Sequence, residues 1–118
     1  MKVIIAGGRD FTNTQALIDF LIELQELNQL PVEFEIVEGG ARGADRCGHD
    51  IAKATGWRHT QFPADWDRLG KRAGYVRNAE MAEYADVLVA CWDSKSRGTK
   101  HMIETMQKKG KPVHVYSY

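Results

Sequence analysis

The sequence predicts an α/β fold: a three-layer αβα sandwich built on one five-stranded parallel sheet with strand order 3-2-1-4-5. Three observations carry this. Apolar runs alternate with helical patterns in the order βαβαβαβαβ, the signature of crossover connections and parallel neighbours. Two of the runs, Val3–Ala6 and Val87–Cys91, lack polar alternation, as strands covered on both faces must, so they are central. Right-handed crossovers then give the order, and the topological switch falls between strands 1 and 4.

Val3–Ala6 closes on Gly7-Gly8 and reads as a buried strand. Thr12-Asn13-Thr14-Gln15 fits a capping box, in which the Thr12 hydroxyl accepts from the third helical N–H and Gln15 reaches back. Ala16, Leu17, Phe20, Leu21, Leu24 and Leu27 then form one apolar helical stripe that ends over Asn28 to Pro31. Phe34–Glu38 is the second strand. A helix from about Gly43 to Thr55 follows, with Gly56 as its stop. Trp57–Phe62 alternates, as a strand near a sheet edge does. Pro63–Gly70 is predicted as a loop and Lys71–Tyr84 as mostly helical. Asp86–Cys91 is the fourth strand. A helix over about Thr99–Lys109 buries Met102, Ile103 and Met106, and Val113–Tyr116 is the last strand.

The 118 residues make one domain, expected to bury roughly two-thirds of its unfolded surface. Sixteen basic and sixteen acidic side chains give no net charge, which argues against a DNA-coating or polybasic membrane protein. Two cysteines do not make a disulfide framework and read as reduced, packed thiols of a cytoplasmic protein. No apolar run approaches the ~18 residues of a membrane span, and the N-terminal run is too short for a signal peptide. His49, His59, His101 and His114 lack ligand spacing, so no metal is expected, and no resident cofactor.

The chemistry gathers in the loops after strands 1, 2 and 4. They read Gly7-Gly8-Arg9-Asp10-Phe11, Gly39-Gly40-Ala41-Arg42-Gly43-Ala44-Asp45 and Trp92-Asp93-Ser94-Lys95-Ser96-Arg97-Gly98-Thr99. All fall on the carboxyl edge of the sheet, and each precedes a helix whose free N–H groups attract an anion. Glycine admits close approach of the backbone, and arginine supplies a two-pronged donor. Ser96 and Thr99 add hydroxyls. The convergence predicts a phosphate-bearing ligand, a nucleotide, although a single glycine pair after a strand would be only turn geometry. Neither dinucleotide-fold nor P-loop glycine spacing is met. Trp66 and Trp92 are the rings that could stack on a base, or else cap the core. Arg77-Asn78, by pattern alone, reads as a solvated helix face.

The stretches "KVIIAGGRDF", "GGARGAD", "FPADW", "AGYVRNAEM" and "WDSKSRGTKHMI" together resemble the YspA-like branch of the SLOG superfamily, over nearly the whole chain. The superfamily includes the Lonely Guy phosphoribohydrolases and the DNA-processing protein A family. The resemblance implies a Rossmann-like fold and a nucleotide, nucleotide-derived ligand or nucleic acid in the switch-point crevice. A homodimer is a further implication. It implies that Gly7, Gly8, Arg9, Gly39, Gly40, Arg42, Gly43, Asp45, Arg77, Asn78, Ser96, Gly98 and Thr99 line the pocket. The hydrolase branch carries P-G-G-x-G-T-x-x-E after its fourth strand. Here the glycine and threonine stand at Gly98 and Thr99, but Met102 takes the glutamate position.

N-glycosidic cleavage passes through an oxocarbenium-like state that a carboxylate stabilises, by analogy with glycosidases. The first expectation is therefore a nucleotide-binding domain that senses or sequesters its ligand. The second is a nucleoside-phosphate or nucleotide-sugar hydrolase in which Asp10, Asp45 or Asp93 replaces the missing glutamate. The third, a nucleic-acid accessory protein using Arg68, Lys71 and Arg72, is disfavoured by the balanced charge.

Overall fold

The computed structural model describes residues 1–118. Five strands, β1 (Lys2–Gly7), β2 (Glu35–Glu38), β3 (His59–Gln61), β4 (Val87–Trp92) and β5 (Val113–Ser117), pair in parallel in the order β3-β2-β1-β4-β5. This is the expected order. β1 is central because Val3, Ile4 and Ile5 are fully buried, and its neighbour β4 is buried from Val87 to Cys91. Val3 stands level with Ile36 on one side and Val87 on the other.

The pleat sends alternate residues to opposite faces, and the two faces are separate cores. Val3, Ile5, Ile36, Val87, Val89 and Cys91 pack under α1 (Thr14–Glu26) and α2 (Ala44–Thr55). Ile4, Ala6, Val37, Leu88 and Ala90 face α4 (Ala73–Tyr84) and α5 (Arg97–Lys108). No helix is long and apolar enough to cross a membrane.

Four boundaries differ from the sequence reading. The capping box does not form: α1 starts at Thr14, so Asn13 is the cap and its Oδ1 accepts the Ala16 N–H at 3.0 Å. Gln15 is then only the second helical residue, cannot reach back, and donates to Asp19 instead. β3 is shorter than expected because its flanking aromatics turn away to pack, Trp57 on Phe34 and Phe62 on Tyr84. The expected Pro63–Gly70 loop contains a short helix, α3 (Trp66–Leu69), capped by Asp65, which accepts from the Arg68 N–H and Nε. A 3-10 turn over Gly70–Arg72 joins it to α4. Finally, α5 starts at Arg97, since Ser96 is its cap.

Candidate binding site

A cavity of about 520 Å³ opens at the carboxyl ends of β1 and β4, on the edge where the switch point places it. Gly7, Gly8, Arg9 and Asp10 line it from the first loop, and Ala41 and Asp45 from the second. Asp93, Ser96, Gly98 and Thr99 line it from the end of β4 and the start of α5. Trp66, Arg77 and Asn78 complete the predicted set.

Six predicted residues stand outside the wall. Phe11 is buried in the core, edge-on to Tyr116 and Tyr118. Trp92 packs on the α4–α5 side and donates its indole N–H to the Ser96 carbonyl at 3.1 Å, so it is held as a brace and not as a stacking ring. Arg42 is exposed away from the cavity. Gly39, Gly40 and Gly43 shape the second loop from behind. Gly43 lets it approach the first: a Cβ there would lie 2.2 Å from the Gly8 carbonyl oxygen.

Three amides of the second loop are already taken by carboxylates. One carboxylate oxygen of Asp45 accepts the N–H groups of Gly39 (3.1 Å) and Ala41 (3.2 Å), and buried Glu38 accepts that of Gly40. Glu38 is itself shared with His59 and Gln61 on β3. The loop is thus a carboxylate-centred turn in which the Gly39, Gly40 and Ala41 N–H groups are already bonded. Arg77 closes the assembly from α4: its Nη1 donates to the Gly39 carbonyl at 2.6 Å and its Nε to Asn78 Oδ1 at 3.1 Å. Asn78 in turn donates to the Gly98 carbonyl at 3.2 Å. Arg77 and Asn78 therefore tie the second loop to the start of α5.

Asp45 is 5% exposed. Burial pushes its carboxyl up to about 6, against the Arg77 charge and the Ala41 N–H, which favour ionisation. Only Oδ2 is bonded, and no buried side-chain oxygen lacks a partner, so Oδ1 reaches the cavity. Asp93 behaves oppositely. Its Oδ1 accepts the Ser96 and Lys95 N–H groups at 2.9 Å, which hold it below the usual carboxylate range. Asp10 accepts from the Tyr118 hydroxyl. The thiol of Cys91 is pushed up to about 12 by burial, which removes it as a nucleophile at neutral pH.

Further polar groups without partners stand between the first loop and α5. Ser96 Oγ caps Thr99 N–H at 3.4 Å and meets Thr99 Oγ1 at 3.0 Å. The N–H groups of Arg97 and Gly98, in the first turn, have no partner within the helix. Arg9 and Lys71 face the cavity and enter no ion pair. Lys71, Gly74, Tyr75 and Met81 line it without having been expected. A signal existed: Gly74, Asn78 and Met81 follow a helical spacing that puts them on one face. Met102, the residue at the hydrolase glutamate position, also lines the cavity and is 1% exposed.

An open parallel α/β sheet with a polar cleft at its switch point defines a class of ligand-binding domains. Residues 1–69 match the YspA, cpYpsA-related SLOG family (YAcAr), and the chain belongs to that family. It is 38% identical over 122 residues to the Gene 61 protein of Mycobacterium phage D29, covering 95% of this chain and 93% of the phage protein. The fold is similar to that of DNA processing protein A (DprA) from Streptococcus pneumoniae, with a TM-score of 0.74 and 19% identity over 97% of this chain. The chain spans about half of that protein (49%). It is also similar to TM1055, with a TM-score of 0.66 and 21% identity over 95% of this chain and 71% of that one. These two likenesses are likenesses of fold.

Proposed function

We propose that this protein binds a nucleotide or nucleotide-derived ligand in the switch-point cleft and senses or sequesters it without efficient turnover. The observation that carries the reading is the unpaired Arg9 guanidinium beside the Gly7-Gly8 turn and the open first turn of α5, in one cavity. A phosphate there meets a two-pronged donor, hydroxyls and helix N–H groups together. The two free, buried cysteines suit a reducing, cytoplasmic setting.

Weak turnover follows from the carboxylates. Met102 puts a thioether in the cleft where the hydrolase branch keeps its glutamate, and a thioether does not stabilise developing positive charge. Each of the three candidate replacements already has one oxygen committed: Asp10 to the Tyr118 hydroxyl, Asp93 to two amides and Asp45 to the second loop. A site that holds ground and transition states equally gives affinity without rate.

Calorimetric titration with nucleoside monophosphates tests the binding reading. Arg9→Ala is expected to lose a charge-assisted bond of roughly 1.5–3 kcal/mol, a fall of one to two decades in affinity. Arg42→Ala, outside the cavity, is expected to bind as the wild type does. Equal affinity in wild type and Arg9→Ala would contradict the reading. The turnover reading is checked by chromatography of free base. The expected result is no release in the enzyme range of about 1–10³ per second. Release that Asp45→Asn abolishes would establish a hydrolase.

A further inference from the structure

Two large aromatic side chains stand exposed at the mouth of this cavity, Trp66 at 49% and Tyr75 at 46%. Both border the cavity. The tip of the Trp66 indole lies near Gly74, where an added Cβ would stand 3.5 Å from it, in ordinary contact. Tyr75 rests on His101, with ring centroids 4.4 Å apart. His101 thus supports the Tyr75 ring, and both Tyr75 and Trp66 border the same space that Arg9 and Ser96 line. The segment between them carries Lys71, which also lines the cavity and pairs with no carboxylate. The other two tryptophans are half-buried and braced, Trp57 on Phe34 and Trp92 on Ser96.

We propose that Trp66 and Tyr75 form a stacking subsite for the base of the nucleotide, placing the base at the outer mouth while the phosphate lies within, against Arg9 and the first turn of α5. The proposal rests on the nucleotide reading of the cleft and specifies it. The ligand class is a base-bearing nucleotide, and a sugar phosphate alone fills only the inner half. Stacking tolerates any base, because every base has a π-face, so the subsite selects for the presence of a base more than for its identity. The chain can leave such rings in water because a ligand covers them. The continuity of both rings with the charged cleft identifies the occupant as the other end of the molecule whose phosphate the cleft attracts.

The test compares AMP, GMP, CMP and UMP with ribose 5-phosphate, titrated calorimetrically into wild type, Trp66→Ala, Tyr75→Ala and Trp66→Phe. Thermal melts confirm that each variant is folded. Wild type is expected to bind the monophosphates more tightly than ribose 5-phosphate. Trp66→Ala and Tyr75→Ala should weaken the monophosphates about five- to one-hundred-fold and leave ribose 5-phosphate within twofold. Trp66→Phe should recover most of the loss. Monophosphate affinities unchanged in both alanine variants, with ribose 5-phosphate still bound by wild type, would overturn the stacking subsite and leave the cleft reading standing. Failure of wild type to bind either class would overturn both.

Discussion

Gly43→Ala is expected to destabilise the protein by about 4 kcal/mol, a large share of the about 5–15 kcal/mol typical of a domain. Gly43 has φ 78° and ψ −127°, a conformation open essentially to glycine alone. An added Cβ would lie 2.2 Å from the Gly8 carbonyl oxygen and 2.6 Å from the Arg9 backbone. Neither can yield as a flexible side chain would. Gly8 is pinned on both sides, by its own N–H to Cys91 O at 3.1 Å and by its carbonyl, which accepts the Ala44 N–H at 3.2 Å. The substitution therefore separates the first and second loops, and the cleft should open with it. Gly98→Ala is the control. Nothing lies within 4 Å of a Cβ there, and alanine favours a helix by up to about 1 kcal/mol over glycine, so stability should hold or rise slightly. Denaturant unfolding of both variants checks the pair. Near-native stability in Gly43→Ala would show that the two loops do not meet in this way.

Asp45→Asn is expected to change how stability depends on pH. The folded carboxyl titrates at about 6 and the unfolded one near its ordinary 3.8. Between those values the folded state holds more protons than the unfolded state, so the contribution of Asp45 to stability falls as pH rises. The whole fall is on the order of 3 kcal/mol and is complete above about pH 6.5. Asparagine keeps an oxygen for the Gly39 and Ala41 N–H groups and does not titrate. Glu35 and Asp93, whose carboxyls lie below their ordinary values, act with the opposite sign at lower pH and are common to both proteins. The stability of wild type relative to Asp45→Asn should therefore drop steadily from pH 4 to pH 6.5. Unfolding midpoints across that range measure it, and parallel curves would contradict the buried, perturbed carboxyl.

The strand order was legible because it rests on one-dimensional facts. Val3–Ala6 and Val87–Cys91 are too apolar to lie at an edge, and crossover handedness settles the remainder. The edge that carries the cleft was legible for the same reason. What was not legible is which donors are already occupied. Asp45 and Glu38 capture the Gly39, Gly40 and Ala41 amides through contacts a few ångströms long, and sequence gives only the nearness in chain. Arg77 reaches Gly39 across 38 positions, so its bracing role is invisible without the fold. Phe11 and Trp92 were drawn toward the site by their neighbours in sequence. In the structure the core and the Ser96 carbonyl claim them. Tyr75 was missed because an exposed aromatic on a helix becomes informative only when it borders a cavity.

The central claim, a nucleotide bound between the first loop and the start of α5, is tested most directly by a two-dimensional ¹⁵N NMR titration of the intact chain with nucleoside monophosphates. Binding there should give saturable shifts concentrated on the amides of Gly8, Arg9, Gly98 and Thr99, with the Trp66 indole N–H moving as well. The Gly39, Gly40 and Ala41 amides, already bonded to Glu38 and Asp45, should move less. Shifts absent at millimolar nucleotide, or gathered at the opposite edge of the sheet around Met1, Glu35 and Asp86, would contradict it.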